Sequence, residues 1–241
     1  MTTDISRPAE AFLDNPVWHS LTGPHASLAE GIDVGAGLAR RYLGEVSIFG
    51  ALSDPAEPQA WADLARLLGP GGQVLLTGAN IAPPAGWGLS GGPGVQLVET
   101  EHVEDASDPE VRVLDSADPA VVAAMVDLVE RTKPGPFLSG TPRMGSYLGI
   151  VRSGRLVAMA GERMHPQGWT EISAVATDPN FRRQGFSGRL VRSVVAGIRA
   201  RGERAFMHAS AGNTGAISVY LGLGFELRRE TRFAMVQAPR E

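Results

Sequence analysis

Residues 170–192 read TEISAVATDPNFRRQGFSGRLVR, and no other stretch constrains the fold as much. An apolar strand runs to Thr177, Asp178-Pro179 makes a sharp turn, a basic loop with one glycine follows, and a helix begins. The first N–H groups of a helix have no partner of their own, and the helix dipole is positive there. A loop that opens a helix in this way is therefore an anion site. Gly185 lets the backbone approach a phosphate closely, and Arg182 and Arg183 add positive charge. Alone, the loop from Arg182 to Ser187 reads equally well as a solvated turn. It gains weight from the apolar strand before it and from the helix behind it, whose buried face is expected to hold Leu190, Val191, Val194, Val195 and Ile198.

The rest of the chain bounds the options. Its 241 residues admit one large domain or two small ones. A formal net charge of -4 argues against a general nucleic-acid binder, so any anion site is local. No cysteine is present, which removes disulfides, thiol catalysis and cysteine–zinc sites. The opening MTTDISRPAEAF lacks the pattern of a signal peptide, and no apolar run approaches the length of a membrane span. A cytoplasmic protein without membrane or nucleic-acid partners is expected. Lys133 is the sole lysine.

Residues 1–110 read as a smaller α/β unit. A helix is expected over 58–68, closed by glycines, with strands over 46–49, 73–77 and 95–100. Residues 82–94, rich in glycine and proline, are expected to be a loop. The acidic run 101–110 marks the boundary of a second unit, 111–241. There the order is β-α-β-β-β-α-β-α-β-β, an α/β sandwich on a mostly antiparallel sheet. Ser153-Gly154 predicts a tight hairpin, and two strands are expected at the end, over 225–228 and 232–236.

Other chemistries find little support. Lys133 has no glycine pattern before it for a nucleotide loop, and the five histidines lack metal spacing, so no metal is expected.

Arg182-Arg183-Gln184-Gly185-Phe186-Ser187 resembles the R/Q-x-x-G-x-G/A acyl-CoA loop of the GCN5-related N-acetyltransferases, the GNAT superfamily. Residues 213–225, NTGAISVYLGLGF, resemble that family's N-x-x-A-x-x-x-Y-x-x-x-G-F motif. The two motifs come in the family's order, and the resemblance spans 111 to about 236. Residues 133–137, 158–163 and 170–175 resemble a bacterial FR47-type subgroup that carries an extra N-terminal half. Ser187 departs from the usual glycine or alanine but is small enough for the same approach.

The resemblance implies a central sheet split into a V and flanked by helices, preceded by a degenerate GNAT-like half. It implies acetyl-CoA as co-substrate, with the pyrophosphate on the backbone of Arg182, Arg183, Gln184, Gly185, Phe186, Ser187 and Gly188. The pantetheine arm would pair with Val175, Ala176 and Thr177 as an added strand, and a strand N–H near Val175 would polarise the thioester. Asn213 would hydrogen-bond the cofactor, though it also fits a helix N-cap. Tyr220, seven residues on, would protonate the leaving thiolate; its bland alternative is a buried aromatic. Glu171, taken to alternate onto one face with Ser173, Val175 and Thr177, is the first candidate base. Glu162 is the second, and His208 a weak third. The acceptor would be a small-molecule or peptide amine attacking directly in a ternary complex, and a homodimer is admitted. The competing function is a CoA-binding sensor or interaction module that has lost transfer.

Overall fold

The computed structural model describes residues 10–240. The N-terminal reading over residues 1–9 lies outside them.

A 3-10 turn, Glu10–Asp14, leads into α1 (Pro16–Leu21), which proline enters at its first turn. The strands β1 (Ala29–Glu30), β2 (Ala39–Tyr42) and β3 (Gly50–Leu52) form a small antiparallel sheet. Helix α2 (Pro58–Leu68) buries Ala60, Trp61 and Leu64 on one face and stops at Gly69, whose φ is 72°. Two strands follow, β4 (Gln73–Gly78) and β5 (Gly88–Glu99). Then come β6 (Arg112–Val113), α3 (Pro119–Thr132), β7 (Tyr147–Arg152), β8 (Arg155–Glu162) and β9 (Trp169–Thr177). The chain closes with α4 (Phe186–Ala200), β10 (Arg204–Ser210), α5 (Thr214–Gly222) and β11 (Phe225–Gln237). Asp118 caps α3 by accepting from the Ala120 N–H, and Lys133 ends it with φ 52°.

The main sheet runs β4-β11-β5-β10-β9-β8-β7-β6. Its pairs are antiparallel except β9 with β10. The expected α/β architecture is present, with the small three-stranded sheet in the first half. Hydrogen bonding crosses position 110: β5 lies between β10 and β11 and pairs with both. On one face of the sheet α4 and α5 cover a core with Leu190, Val191, Val194, Val195 and Ile198, the face read from the sequence. On the other face Leu13, Val17, Tyr42 and Phe49 from the first half pack on Trp169 and Phe206. Helix α3 buries Met125, Leu128 and Val129.

Several boundaries differ from the sequence reading. Residues 88–94 belong to β5 rather than to a loop, because each pairs with β11 across Thr231–Gln237. Gly88-Leu89-Ser90-Gly91-Gly92 has the spacing Gly-x-Ser-x-Gly, but it lies inside a strand, without the strand-to-helix elbow a hydrolase nucleophile needs. The final two strands are one, with a bulge between Leu227 and Arg229. Residues 46–49 contribute only a bridge from Phe49 to Leu75 before β3. Ser153 and Gly154 have φ of 50° and 75°, the positive pair that the tight hairpin requires.

Candidate active site

Strands β9 and β10 pair only where they start, through Trp169–Arg204, Thr170–Ala205 and Glu171–Phe206. Past that point they part. The far edge of each stays paired, β9 with β8 and β10 with β5. The facing edges are left open, and open strand edges carry free N–H and C=O groups. A cavity of about 410 Å³ occupies the gap, lined by Ile172, Ser173, Ala174 and Val175 on one side and by His208, Ala209 and Ser210 on the other.

A bulge decides which amides face this gap. The N–H of Glu171 donates to Met164 and that of Asp178 to Val157, so both turn toward the β8 side. They are an odd number of residues apart, which strict alternation forbids. The register shift opposite Met159–Gly161 and the φ of 52° at Ala174 supply the extra residue. After the bulge, Val175 and Thr177 point their backbone into the gap. The bulge also corrects the expected shared face. The Glu171 side chain lies with Arg163, over Phe49, whereas Val175 packs in the core under α4 and Thr177 meets Ser187.

The basic loop sits at the wide end of β9. Thr177 Oγ1 and Ser187 Oγ are 3.3 Å apart, which ties strand end to helix start. Asp178 fixes the turn: it accepts from the Asn180 N–H at 2.9 Å and is held by Arg131. Gly185 is the N-cap of α4 with φ 75°, and Arg183 has φ 61°. No side chain caps this helix end, so its first N–H groups are available to a ligand. Arg182, Arg183 and Gln184 are exposed. Arg189, one turn on, is engaged by Asp108 and Glu110.

The opposite wall is α5. Asn213 Oδ1 accepts from the Ala216 N–H at 3.2 Å, so the capping role is real and the Nδ2 donor remains. Tyr220 is 9% exposed and lines the gap. Burial pushes its hydroxyl up to about 12. The phenol is therefore protonated at neutral pH.

Glu171 is fully buried. Its Oε2 accepts from Arg163 Nε at 2.7 Å, and its Oε1 from Arg163 Nη2 and His208 Nδ1, each at 2.7 Å. Burial alone would raise its pKa; the Arg163 charge and these hydrogen bonds outweigh burial and lower it to about 2. His208 Nε2 lies 3.1 Å from Gln96 Nε2, which also donates to the Leu13 carbonyl at 2.8 Å. Gln96 Oε1 takes Arg228 Nη1 at 2.8 Å, which orients the amide. The tautomer that fits carries its proton on Nδ1, facing Glu171. Glu162 lies outside the gap lining; it accepts from the Ser146 N–H and from Arg201 at 2.8 Å. The oxygens of both carboxylates are engaged by hydrogen bonds and ion pairs, and neither residue lines the cavity.

The sequence missed Arg163, Gln96 and the apolar wall of Phe49, Leu75 and Phe233, which the first half and β11 bring to the gap. Arg163 follows Glu162 where β8 ends, so an arginine pairing across the next turn was the available signal.

A family model described as FR47-like protein matches residues 147–234. A solved structure from Novosphingobium aromaticivorans, described as an acetyltransferase from the GNAT family, is 38% identical. That match covers 94% of this chain and 98% of the other, with a TM-score of 0.82. A GCN5-related N-acetyltransferase from Kribbella flavida is 19% identical, with coverage of 90% and 93% and a TM-score of 0.60, and shares the fold. Among curated proteins none matches. Among the described residues no helix is long and apolar enough to cross a membrane, and no group of three or more metal-ligating side chains occurs.

Proposed function

The chain belongs to the GNAT family of acetyltransferases, and from that premise we propose that it transfers the acetyl group of acetyl-CoA to a primary amine within a ternary complex. The observation that carries this reading is the gap: β9 and β10 part after a short parallel pairing, between an open helix N-terminus and a buried tyrosine.

The pyrophosphate would lie on the loop from Arg182 to Gly188, where uncapped N–H groups, the helix dipole and two exposed arginines favour anions. The pantetheine arm would add as a strand along Val175 to Thr177, whose backbone the bulge turns inward. The Val175 N–H is the donor suited to the thioester oxygen as it becomes an oxyanion. Asn213 Nδ2 is free for a pantetheine carbonyl. The amine attacks the thioester carbon, the carbon–sulfur bond breaks, and Tyr220 delivers its proton to the thiolate.

The amine's own proton leaves by water rather than to Glu171 or Glu162, since both are held in ion pairs. Lys133 at the gap mouth, exposed and cationic, disfavours a bound ammonium and so favours the reactive neutral amine. Glu171 is a positioning residue for His208 and Arg163. Incubation of the protein and acetyl-CoA with a panel of amines, read by mass spectrometry, tests the reading: at least one N-acetylated product forms in proportion to enzyme. CoA binding with no product from any amine, including peptide amino termini, would favour the non-catalytic module.

A further inference from the structure

The first half of the chain repeats the strand–helix–strand order that forms the active gap. Strands β3 and β4 are joined through α2 as β9 and β10 are through α4. Asp54-Pro55 follows β3 as Asp178-Pro179 follows β9. Phe49 and Leu75 form one parallel bridge, with the Leu75 N–H donating to the Ile48 carbonyl at 2.9 Å. Beyond that bridge β3 and β4 part. Their outer edges stay paired, β3 with β2 and β4 with β11. Alternation from the Ile48–Leu75 bond turns the backbone of Gly50 and Leu52 toward that of Thr77 and Ala79 across the opening. A cavity of about 670 Å³ fills it.

Two further features give the cavity a ligand chemistry. Thr77 is 8% exposed, and its Oγ1 and that of Ser53 (Oγ) are buried without a hydrogen-bond partner among the described residues. Both residues line the cavity, and a buried unpaired hydroxyl is costly unless something completes it. The edge of β3 already accepts an amide: Asn15 Nδ2 donates to the Leu52 carbonyl at 2.7 Å. The anion-binding features of the other gap are missing. Before α2 the chain reads Asp54-Pro55-Ala56-Glu57, with Glu57 at the N-cap and Pro58 in the first turn. Proline removes one of the open N–H groups, and two carboxylates repel a phosphate.

We propose that the gap between β3 and β4 is a second binding site, for a neutral, extended, amide-bearing chain of the pantetheine type and not for a diphosphate. The amides pair with the open edges at Gly50 and Thr77 and with the Leu52 N–H, the Leu52 carbonyl being held by Asn15, and the hydroxyls of Ser53 and Thr77 complete their hydrogen bonds to the chain's carbonyl or hydroxyl groups.

Hydrogen exchange read by mass spectrometry on the full chain, with D-pantetheine and CoA as probes, tests this. With pantetheine at about ten times its Kd, exchange at residues 50–53 and 77–80 slows about tenfold, and CoA leaves these residues unprotected. The double variant Ser53→Ala, Thr77→Val melts no lower than wild type, because it removes unpaired groups, and loses the protection. No slowing at 50–53 and 77–80, the same slowing in the double variant, or equal slowing by CoA overturns the proposal. Residues 172–177 report the catalytic gap separately, so failure of one site is distinct from failure of the other.

Discussion

Arg163 and Glu171 meet edge to edge, with Arg163 Nε and Nη2 each 2.7 Å from a different oxygen of the Glu171 carboxylate. Both side chains are buried, and the guanidinium stacks 4.7 Å from the centre of the Phe49 ring. The pair therefore joins the first half of the chain to the floor of the active gap. In the proposed mechanism the pair holds that floor and does not take a proton.

Removing one partner leaves the other charged and buried. Glu171→Ala is expected to destabilise the fold by about 3–5 kcal/mol, measured by urea unfolding. A loss under about 1 kcal/mol would contradict the burial of the pair. The pH dependence has a definite sign. With the folded Glu171 value lowered to about 2, below the usual Glu value of about 4.3, the contribution is complete above about pH 4.3. It is lost as pH falls from there through about 2. The stability gap between wild type and Glu171→Gln is thus expected to narrow over that window, and a gap that widens on acidification would contradict it.

Tyr220→Phe removes the hydroxyl but keeps the ring in its buried place. The expected result is a fall in kcat of about 10²-fold or more with little change in acetyl-CoA Kd. Because the hydroxyl titrates at about 12, wild-type kcat shows no alkaline loss from this group near neutral pH. Single-turnover kinetics beside calorimetry checks both. Equal kcat in the two proteins would leave the ring as packing alone.

Gly185 holds φ 75°, where a Cβ costs about 1–2 kcal/mol, although nothing within 4 Å would meet that Cβ. Gly185→Ala is expected to lose a little stability and a few-fold in CoA affinity. Gly185→Glu adds a charge facing the diphosphate and is expected to lose most of the affinity. Calorimetric titration separates the two effects, and unchanged CoA binding by Gly185→Glu would remove the loop from the site.

Ala174, with φ 52°, sets the bulge that turns Val175 and Thr177 toward the gap. A β-branched residue is poorly suited to that backbone. Ala174→Val is expected to lower kcat/KM by about tenfold or more through loss of donor alignment, whereas Ala174→Gly keeps activity. Similar activity in all three proteins would mean that the bulge is not needed for transfer.

The second half of the chain was legible because its signals are local. Strand β9, the loop to Gly185, the buried face of α4 and the Ser153-Gly154 turn each follow from short-range patterns. Strand β2 was missed because Arg40 and Arg41 sit between its buried ends, Ala39 and Tyr42, and mask the alternation. The first part of β5 reads as a loop because its glycines and proline lack strand propensity; pairing with β11 overrides that. The bulge at Ala174 leaves no mark in the sequence, where simple alternation puts Glu171 on the same face as Val175. The partners of Glu171 were equally hidden: Arg163, His208 and, through His208, Gln96 come from three different strands or strand ends, and only the sheet order brings them together.

The most direct test of the central claim is the rate of thiol release from acetyl-CoA, with and without an amine panel, for wild type and Tyr220→Phe side by side. Amine-dependent release by wild type that falls about 10²-fold in Tyr220→Phe, with acetyl-CoA still bound by both, is the predicted result. Acetyl-CoA bound by both proteins, with no amine raising thiol release above background, would contradict it.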